Sequence, residues 1–475
     1  MKQNITPPLY FYSIILFLGI ITYLVLLLFA ILFFKERTIF LDVAFHLFYI
    51  VKDGDFAIQA NRFGAIVTQI FPLLSAKLQL PLKWVMINYS AGLVLYYFGI
   101  FWLCARVFKN ERIGLAMVLF STLMVSYTFW WMQIEFAQGI ALTILFFGFI
   151  AREKPWKSYH FIEIALFFLL LFAITYFHPL LPFVFFFLIL FFLLEQNRIE
   201  KKVLFAAAIV FSGILYIKNK LLPAASYDAT ATEGIKNFKA LFPNYLDLPA
   251  NKNFLQYCIT DYYLLPIGLL IVIGTYLYLR KYLHLLLVLV FSCGYLLLVN
   301  VSFYQGMPQF HIESFYLPLS IFIIFPLAYE VFPRIRNRYA LIAILSIVLT
   351  MRLLHIGKLH QPYTARLHWQ KQLLEKTRQL PHQKLILDQK EVPLDTLMMS
   401  WGASYEFWLL SSLQNPENPR SIIIAENPGE FDWAMDDPAV FITKWGAFKY
   451  SELPKRYFNF ADTSRYQKLE WQTIQ

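Results

Sequence analysis

Residues 9–34 read LYFYSIILFLGIITYLVLLLFAILFF, an uninterrupted apolar run without Asp, Glu, Lys or Arg. An α-helix needs about 20 apolar residues to cross the hydrocarbon core of a bilayer, and this run is longer. It is also too long for the core of a signal peptide, and no small-residue cleavage site follows it. We therefore predict a transmembrane helix near the N-terminus.

The rest of the 475-residue chain repeats this pattern. Its composition is 59% hydrophobic and only 15% charged, with Phe 49 and Tyr 29, which is unlike a soluble domain. Together with the first run, about eleven segments have the length of a membrane span. The other ten are predicted at residues 84–105, 113–130, 132–151, 160–177, 179–194, 203–217, 263–279, 282–300, 314–332 and 339–355. An odd number of crossings places the two termini on opposite sides.

The short loops predict the orientation, because Lys and Arg gather on the cytoplasmic side. With the N-terminus inside, every inner loop is basic, while the short outer turns near Trp130, His178 and Tyr304 have no Lys or Arg. The net charge of +11 belongs to residues 1–355, since residues 356–475 are balanced. The charge therefore reflects membrane topology, and we expect an inner- or plasma-membrane protein without a nucleic-acid partner.

Three predicted outer stretches are longer than a turn needs: residues 35–83, residues 218–262 and the chain after residue 351. The first contains two amphipathic pieces, 39–51 and 63–80, which we expect at the membrane interface. The tail combines a helical pattern with short apolar runs suited to buried strands at 384–388, 421–425 and 440–443. The predicted fold is thus an all-α polytopic membrane domain over residues 1–355 and a small extracytoplasmic α/β domain over residues 356–475.

Ionisable groups at a membrane boundary are costly to desolvate, so those on the outer side are candidates for function. Asp42 lies a few residues beyond the first span, His46 follows one helical turn later and Tyr49 lies near the next turn. This spacing fits a general base, or a metal-binding carboxylate, that activates an acceptor hydroxyl. The alternative is a helix cap or an interface anchor.

The same loop contains Asp53-Gly54-Asp55, an acidic pair that is a candidate site for a divalent cation such as Mg²⁺ or Mn²⁺. An ordinary turn is the favoured interpretation of these three residues. Arg62 and Gln69, on the second amphipathic piece, are candidates to hold a phosphate or a sugar.

Three further positions complete the candidate site on the outer side. Glu135 lies just inside the outer end of a span and is either a structural carboxylate or a substrate contact. His178 precedes Pro179 at an outer turn, where the proline explains the start of a helix but the histidine is unexplained. His311, Glu313 and Tyr316 open a late span, either above a cavity or as a polar helix cap.

The arrangement resembles the GT-C superfamily of integral membrane glycosyltransferases. The matching features are the early acidic Asp42, the amphipathic residues 62–72, Glu135 after a short outer hairpin, His178-Pro179, and FYLPL at 315–319. The resemblance implies transfer of a sugar from a polyprenyl-phosphate donor to a glycan, lipid or protein acceptor at the outer face, with Asp42 as the catalytic carboxylate. A transporter or flippase of lipid-linked sugars, or a non-catalytic membrane scaffold, is the alternative.

Overall fold

The computed structural model describes residues 9–195, 199–222 and 234–469. The membrane unit is helical. Its helices are α1 Leu9–Leu32, α2 Phe34–Thr38, α3 Leu41–Asp53, α4 Ile66–Lys77, α5 Leu82–Trp102, α6 Glu111–Phe120, α7 Glu135–Ile150, α8 Phe161–Thr175, α9 Leu181–Leu194, α10 Lys201–Leu221, α11 Asn237–Ala240, α12 Pro249–Thr260, α13 Leu264–Tyr278, α14 Tyr282–Ser302, α15 Gln309–Pro326 and α16 Arg338–Lys358.

Among the described residues, six helices are long and apolar enough to cross a membrane, or up to seven if α12 and α13, bent by 88°, form one span. The six are Phe11–Leu32, Leu82–Val107, Lys201–Leu221, Tyr282–Ser302, Gln309–Arg334 and Arg338–Thr377. The chain is therefore an integral membrane protein, as predicted.

The predicted number of about eleven spans is not confirmed. Apolar helices do occur at residues 135–150, 161–175 and 181–194, but each has fewer than 18 residues. At 1.5 Å per residue, a helix of about 15 residues measures about 23 Å, which is less than the roughly 30 Å hydrocarbon core. The predicted span 113–130 is also interrupted, because α6 ends at Phe120 and residues 121–134 form an irregular loop with one short 3₁₀ turn.

The two ends of the helix bundle carry different loops. At one end, which we call the basic end, Lys281 lies 3.0 Å from a Glu195 carboxylate oxygen and 2.5 Å from one of Glu330, and Arg334 lies 2.6 Å from Glu330. Loops that were predicted on the cytoplasmic side thus meet there. The opposite end, which we call the loop end, carries α2–α4 and residues 121–134.

The C-terminal unit, residues 361–469, also lies at the loop end. Its helices are α17 Gln361–Thr377, α18 Leu394–Leu397, α19 Ala403–Gln414 and α20 Asp432–Met435. Strands β1 Lys384–Asp388, β2 Ser421–Ala425 and β5 Gln467–Leu469 form a parallel sheet in the order β2-β1-β5, and β3 Val440–Thr443 pairs antiparallel with β4 Gly446–Lys449. The three strands predicted from apolar runs are therefore confirmed at the same residues.

The two amphipathic pieces of the first loop have different surroundings. Helix α4 exposes Ile70 and Leu74, and Leu78 directly after it is also exposed, as expected for a helix at the membrane interface. Helix α3 is instead covered by the C-terminal unit, since Phe48 stacks on Phe441 with ring centroids 5.4 Å apart and packs against Trp408. The prediction that this piece lies on the membrane surface is therefore wrong for α3.

Candidate functional site

The site is built around the first turn of α3. The backbone turns sharply at Leu41, which has a positive φ of 36°, and Leu41 N–H donates a 2.7 Å hydrogen bond to a Glu406 carboxylate oxygen. Asp42 follows in the first helical turn. The start of a helix favours a carboxylate through the helix dipole, but burial at this position acts against the charge.

His46 lies one turn along the same helix and is buried. Its Nδ1 is 2.6 Å from the backbone carbonyl oxygen of Asp42, so Nδ1 carries the proton of that hydrogen bond and Nε2 is left as an acceptor in the neutral ring. This Nε2 is buried without a hydrogen-bond partner. Burial lowers the pKa of His46, against an opposing effect of Glu135, which favours the neutral ring. The imidazole therefore binds the backbone of Asp42, not its carboxylate.

Glu135 begins α7 and forms an ion pair with Arg62, whose Nη1 lies 3.3 Å from Glu135 Oε2. Gln133 Nε2 donates to the other Glu135 oxygen at 3.2 Å, and Tyr89 OH donates to Gln133 Oε1 at 2.5 Å. Both members of the ion pair keep a small accessible fraction, 16% for Arg62 and 12% for Glu135. The pair is thus mostly, but not fully, removed from bulk water.

The Arg62–Glu135 pair affects the pKa of the Asp42 carboxyl. Burial raises the pKa of Asp42 to about 7, and the Glu135 carboxylate adds to the rise by repulsion. The Trp131 indole and the Arg62 guanidinium act in the opposite direction. A carboxyl group with a pKa near neutrality can both accept and release a proton at physiological pH.

Aromatic rings extend the site from Trp131 towards α7 and α9. His311 lies 5.2 Å from Trp131 and stacks on Phe315 at 5.7 Å, and His178 approaches the same Phe315 ring edge-on at 5.9 Å. His178 also stacks on Phe136 with centroids 4.3 Å apart. The rings form a half-buried wall that connects two histidines.

His178 is held in one tautomer. Leu180 N–H donates to His178 Nδ1 at 3.2 Å, which makes the other ring nitrogen, Nε2, the donor of the neutral imidazole. Burial lowers the pKa of His178 well below its usual range, and the positive charges of Arg62 and Lys218 add to the effect. His178 is therefore a neutral hydrogen-bond donor.

Of the residues predicted from the sequence, the structure thus brings six together: Asp42, His46, Arg62, Glu135, His178 and His311. Two other predicted substrate contacts, Glu313 and Tyr316, lie apart from this cluster. Glu313 is fully buried and accepts hydrogen bonds from the backbone N–H groups of residues 126–128, at 2.7, 3.1 and 2.8 Å, and from Tyr262 OH. Tyr316 OH donates to Asn300 at 2.7 Å inside the bundle. These contacts explain both residues structurally and correct their predicted place above a cavity.

Gln69 also has a structural explanation. Its side-chain amide pairs with the backbone of Ala57, accepting from the N–H at 2.8 Å and donating to the carbonyl at 2.9 Å. The side chain is fully buried, so it fixes the loop that leads to Arg62 instead of contacting a ligand.

Asp53 and Asp55 belong to the end of α3. Gly54, with φ of 62°, is its left-handed C-cap, Asp53 pairs with Lys52, and Asp55 accepts the N–H of Phe56 at 2.7 Å. The turn interpretation therefore describes this segment. Within residues 9–195, 199–222 and 234–469, no three His, Cys, Asp or Glu side chains are grouped as metal ligands.

Sequence reasoning missed Trp131, Gln133 and Tyr89 as parts of the site. Trp131 and Gln133 lie in the irregular loop. Gln133 was predicted to lie in the span 132–151, Trp131 at the outer turn before that span, and Tyr89 within the span 84–105. Polar side chains in predicted spans are a signal that could have identified Gln133 and Tyr89. Trp131 carried no such signal, because an aromatic residue at a span end is ordinary.

Comparison with family models, with curated proteins and with solved structures found no match for this chain.

Proposed function

We propose that this protein is a membrane glycosyltransferase that moves a sugar from a polyprenyl-phosphate donor to an acceptor hydroxyl. The observation that carries the proposal is the Asp42 carboxyl, which lies close to the Arg62–Glu135 ion pair and whose pKa burial raises to about 7. A base poised near neutrality and a cation for a phosphate are the two groups that such a transfer needs.

In the proposed reaction, Asp42 takes the proton of the acceptor hydroxyl as its oxygen forms a bond to the anomeric carbon of the sugar. The bond between that carbon and the phosphate oxygen breaks, and its electron pair stays with the polyprenyl phosphate. The proton ends on Asp42 and the negative charge ends on the leaving phosphate. The balance needs no oxidant or reductant.

Arg62 is the proposed partner of the phosphate. Its guanidinium fork matches phosphate oxygens, and its present partner Glu135 holds it near Asp42. His178 Nε2–H and His311 offer further donors next to the rings of Phe136 and Phe315. A wall of this kind suits a ligand that joins a charged head to an apolar chain.

The proposed orientation places the loop end outside the cytoplasm, because the opposite end of the bundle collects the basic loops. We expect an alkaline phosphatase reporter fused after Gln475 to be active and a cytosolic reporter at the same position to be silent. A signal only from the cytosolic reporter would reverse the orientation and with it the outer-face acceptor.

Glu135→Gln tests the electrostatics of the site. The rate should rise with pH through about 7 in the parent protein, because only deprotonated Asp42 accepts a proton. Removing the Glu135 charge removes a repulsion that raises the pKa of Asp42, so the acid limb of the pH–rate profile should move to lower pH. Glu153→Gln, at an exposed position, is the control and should leave the profile unchanged. An acid limb that does not move in Glu135→Gln would show that the Glu135 charge does not affect the pKa of Asp42.

Donor binding is tested with Arg62→Ala combined with His311→Ala. Loss of a charge-assisted hydrogen bond costs about 1.5–3 kcal/mol, so polyprenyl phosphate in nanodiscs should bind roughly ten- to a hundredfold more weakly. Arg378→Ala, which removes a surface pair with Glu375, should bind as the parent does. Adding Glu135→Gln to the Arg62 variant avoids leaving an unpaired carboxylate. Parental affinity in the folded variant would remove the donor-site assignment and favour a transporter or scaffold.

A further inference from the structure

Glu406 connects the C-terminal unit to the candidate site. It lies on α19, is fully buried, and accepts the Leu41 N–H at 2.7 Å through Oε1. Its other oxygen, Oε2, accepts a 2.6 Å hydrogen bond from Gln370 Nε2 and forms an ion pair with Arg366. Both oxygens of this carboxylate are therefore engaged, one on the membrane unit and one on α17.

Arg366 holds the carboxylate in place. It is fully buried, and its Nη1 donates to the backbone carbonyls of Leu397 and of Met399, the latter at 2.9 Å. The guanidinium also lies over the Phe40 ring, 5.2 Å from its centroid. Arg366 thus links three segments, and Glu406 cannot move without breaking buried hydrogen bonds.

The C-terminal unit packs closely against the backbone of Leu41. Leu41 has a left-handed φ of 36°, which costs energy for a residue with a side chain and needs support from its surroundings. Gly402 lies against it, since a Cβ atom at Gly402 would lie 2.9 Å from Leu41 Cα and 3.1 Å from Glu406 Oε1. The C-terminal unit therefore shapes the backbone one residue before Asp42.

We infer that Glu406 is a positioning residue for Asp42: its hydrogen bond to Leu41 fixes the first turn of α3 and holds the Asp42 carboxyl beside the Arg62–Glu135 ion pair. The C-terminal unit then completes a site whose other groups belong to the membrane unit. This inference rests on the proposed role of Asp42 and adds a residue that acts through the backbone without contacting substrate.

The test follows the Asp42 carboxyl itself by infrared spectroscopy of the full-length protein labelled with ¹³C-aspartate. The Asp42 band is identified as the one missing in Asp42→Asn. Glu406→Ala removes the hydrogen bond to Leu41, so the band should shift in frequency. Gly402→Ala should shift it too, because the added methyl group pushes against the Leu41 backbone while Glu406 and Arg366 remain. The second variant keeps the test decisive if the first fails to fold.

Two matched controls separate positioning from general stability. Glu330→Ala truncates another buried carboxylate, at the basic end, and Gly274→Ala adds a methyl group where nothing lies within 4 Å. Both should keep the parental Asp42 band, whatever happens to the melting temperature.

The positioning role of Glu406 and the proposed function can fail separately. Parental bands in both Glu406→Ala and Gly402→Ala would overturn the inference, as would an equal shift in Glu330→Ala. Shifted bands together with parental sugar transfer in Asp42→Asn would leave the positioning role standing and reject the proposed function instead.

Discussion

Asp42→Asn should leave the protein folded and reduce the turnover of sugar transfer by roughly a hundredfold or more. The amide has nearly the volume of the carboxyl group and can still face Trp131, but it cannot accept the acceptor's proton. The measurement is the single-turnover rate with a polyprenyl-phosphate sugar, alongside the melting temperature of the same preparation. The rate should fall while the melting temperature stays close to that of the parent.

Asp53→Asn is the matched control, because Asp53 lies on the same helix but pairs with Lys52 at an exposed position. It should transfer sugar at the parental rate. A parental rate in Asp42→Asn together with an inactive Asp53→Asn would transfer the catalytic role to the later acidic pair.

The grouping of Asp42, Arg62, Glu135, His178 and His311 at one end could be predicted because a charge at a membrane boundary has few acceptable places. All five follow or precede an apolar run, so the alternation of spans brings them to the same end. Their individual roles could not be predicted in this way. Glu313 is an example, because it also lies near the end of an apolar run. Its carboxylate, however, accepts hydrogen bonds from three backbone N–H groups and has a structural role.

The strands of the C-terminal unit were predictable because a short apolar run such as residues 421–425 is stable when it is buried as a strand in a sheet. The number of spans was not predictable from hydropathy alone, because an apolar run of 14–16 residues fits a buried helix as well as a crossing. The burial of α3 beneath the C-terminal unit depends on contacts such as Phe48 with Phe441, which join residues far apart in the chain.

Arg352 explains how the irregular loop 121–134 is tolerated at the loop end. This fully buried arginine on α16 donates through Nε to the Thr122 carbonyl at 2.9 Å and through Nη2 to the Val125 carbonyl at 2.8 Å and to Ser126 Oγ at 3.0 Å. Its Nη1 donates to the Asp261 carbonyl at 2.6 Å, at the bend between α12 and α13. One side chain thus satisfies backbone groups that two helix ends leave open, as buried backbone requires.

Arg352→Met should therefore lower the free energy of unfolding by about 3–5 kcal/mol, because it leaves several buried acceptors without donors. We expect a large fall in the melting temperature in detergent, and weaker binding of polyprenyl phosphate, since the same loop carries Trp131 and Gln133. Arg338→Met, at an exposed position near the start of the same helix, is the control and should melt with the parent. Arg352→Lys keeps the charge but loses the guanidinium fork, so its melting temperature should lie between those of Arg352→Met and the parent. A parental melting temperature in Arg352→Met would mean that water can replace all four hydrogen bonds. It would contradict the stabilising role of Arg352 in the loop 121–134.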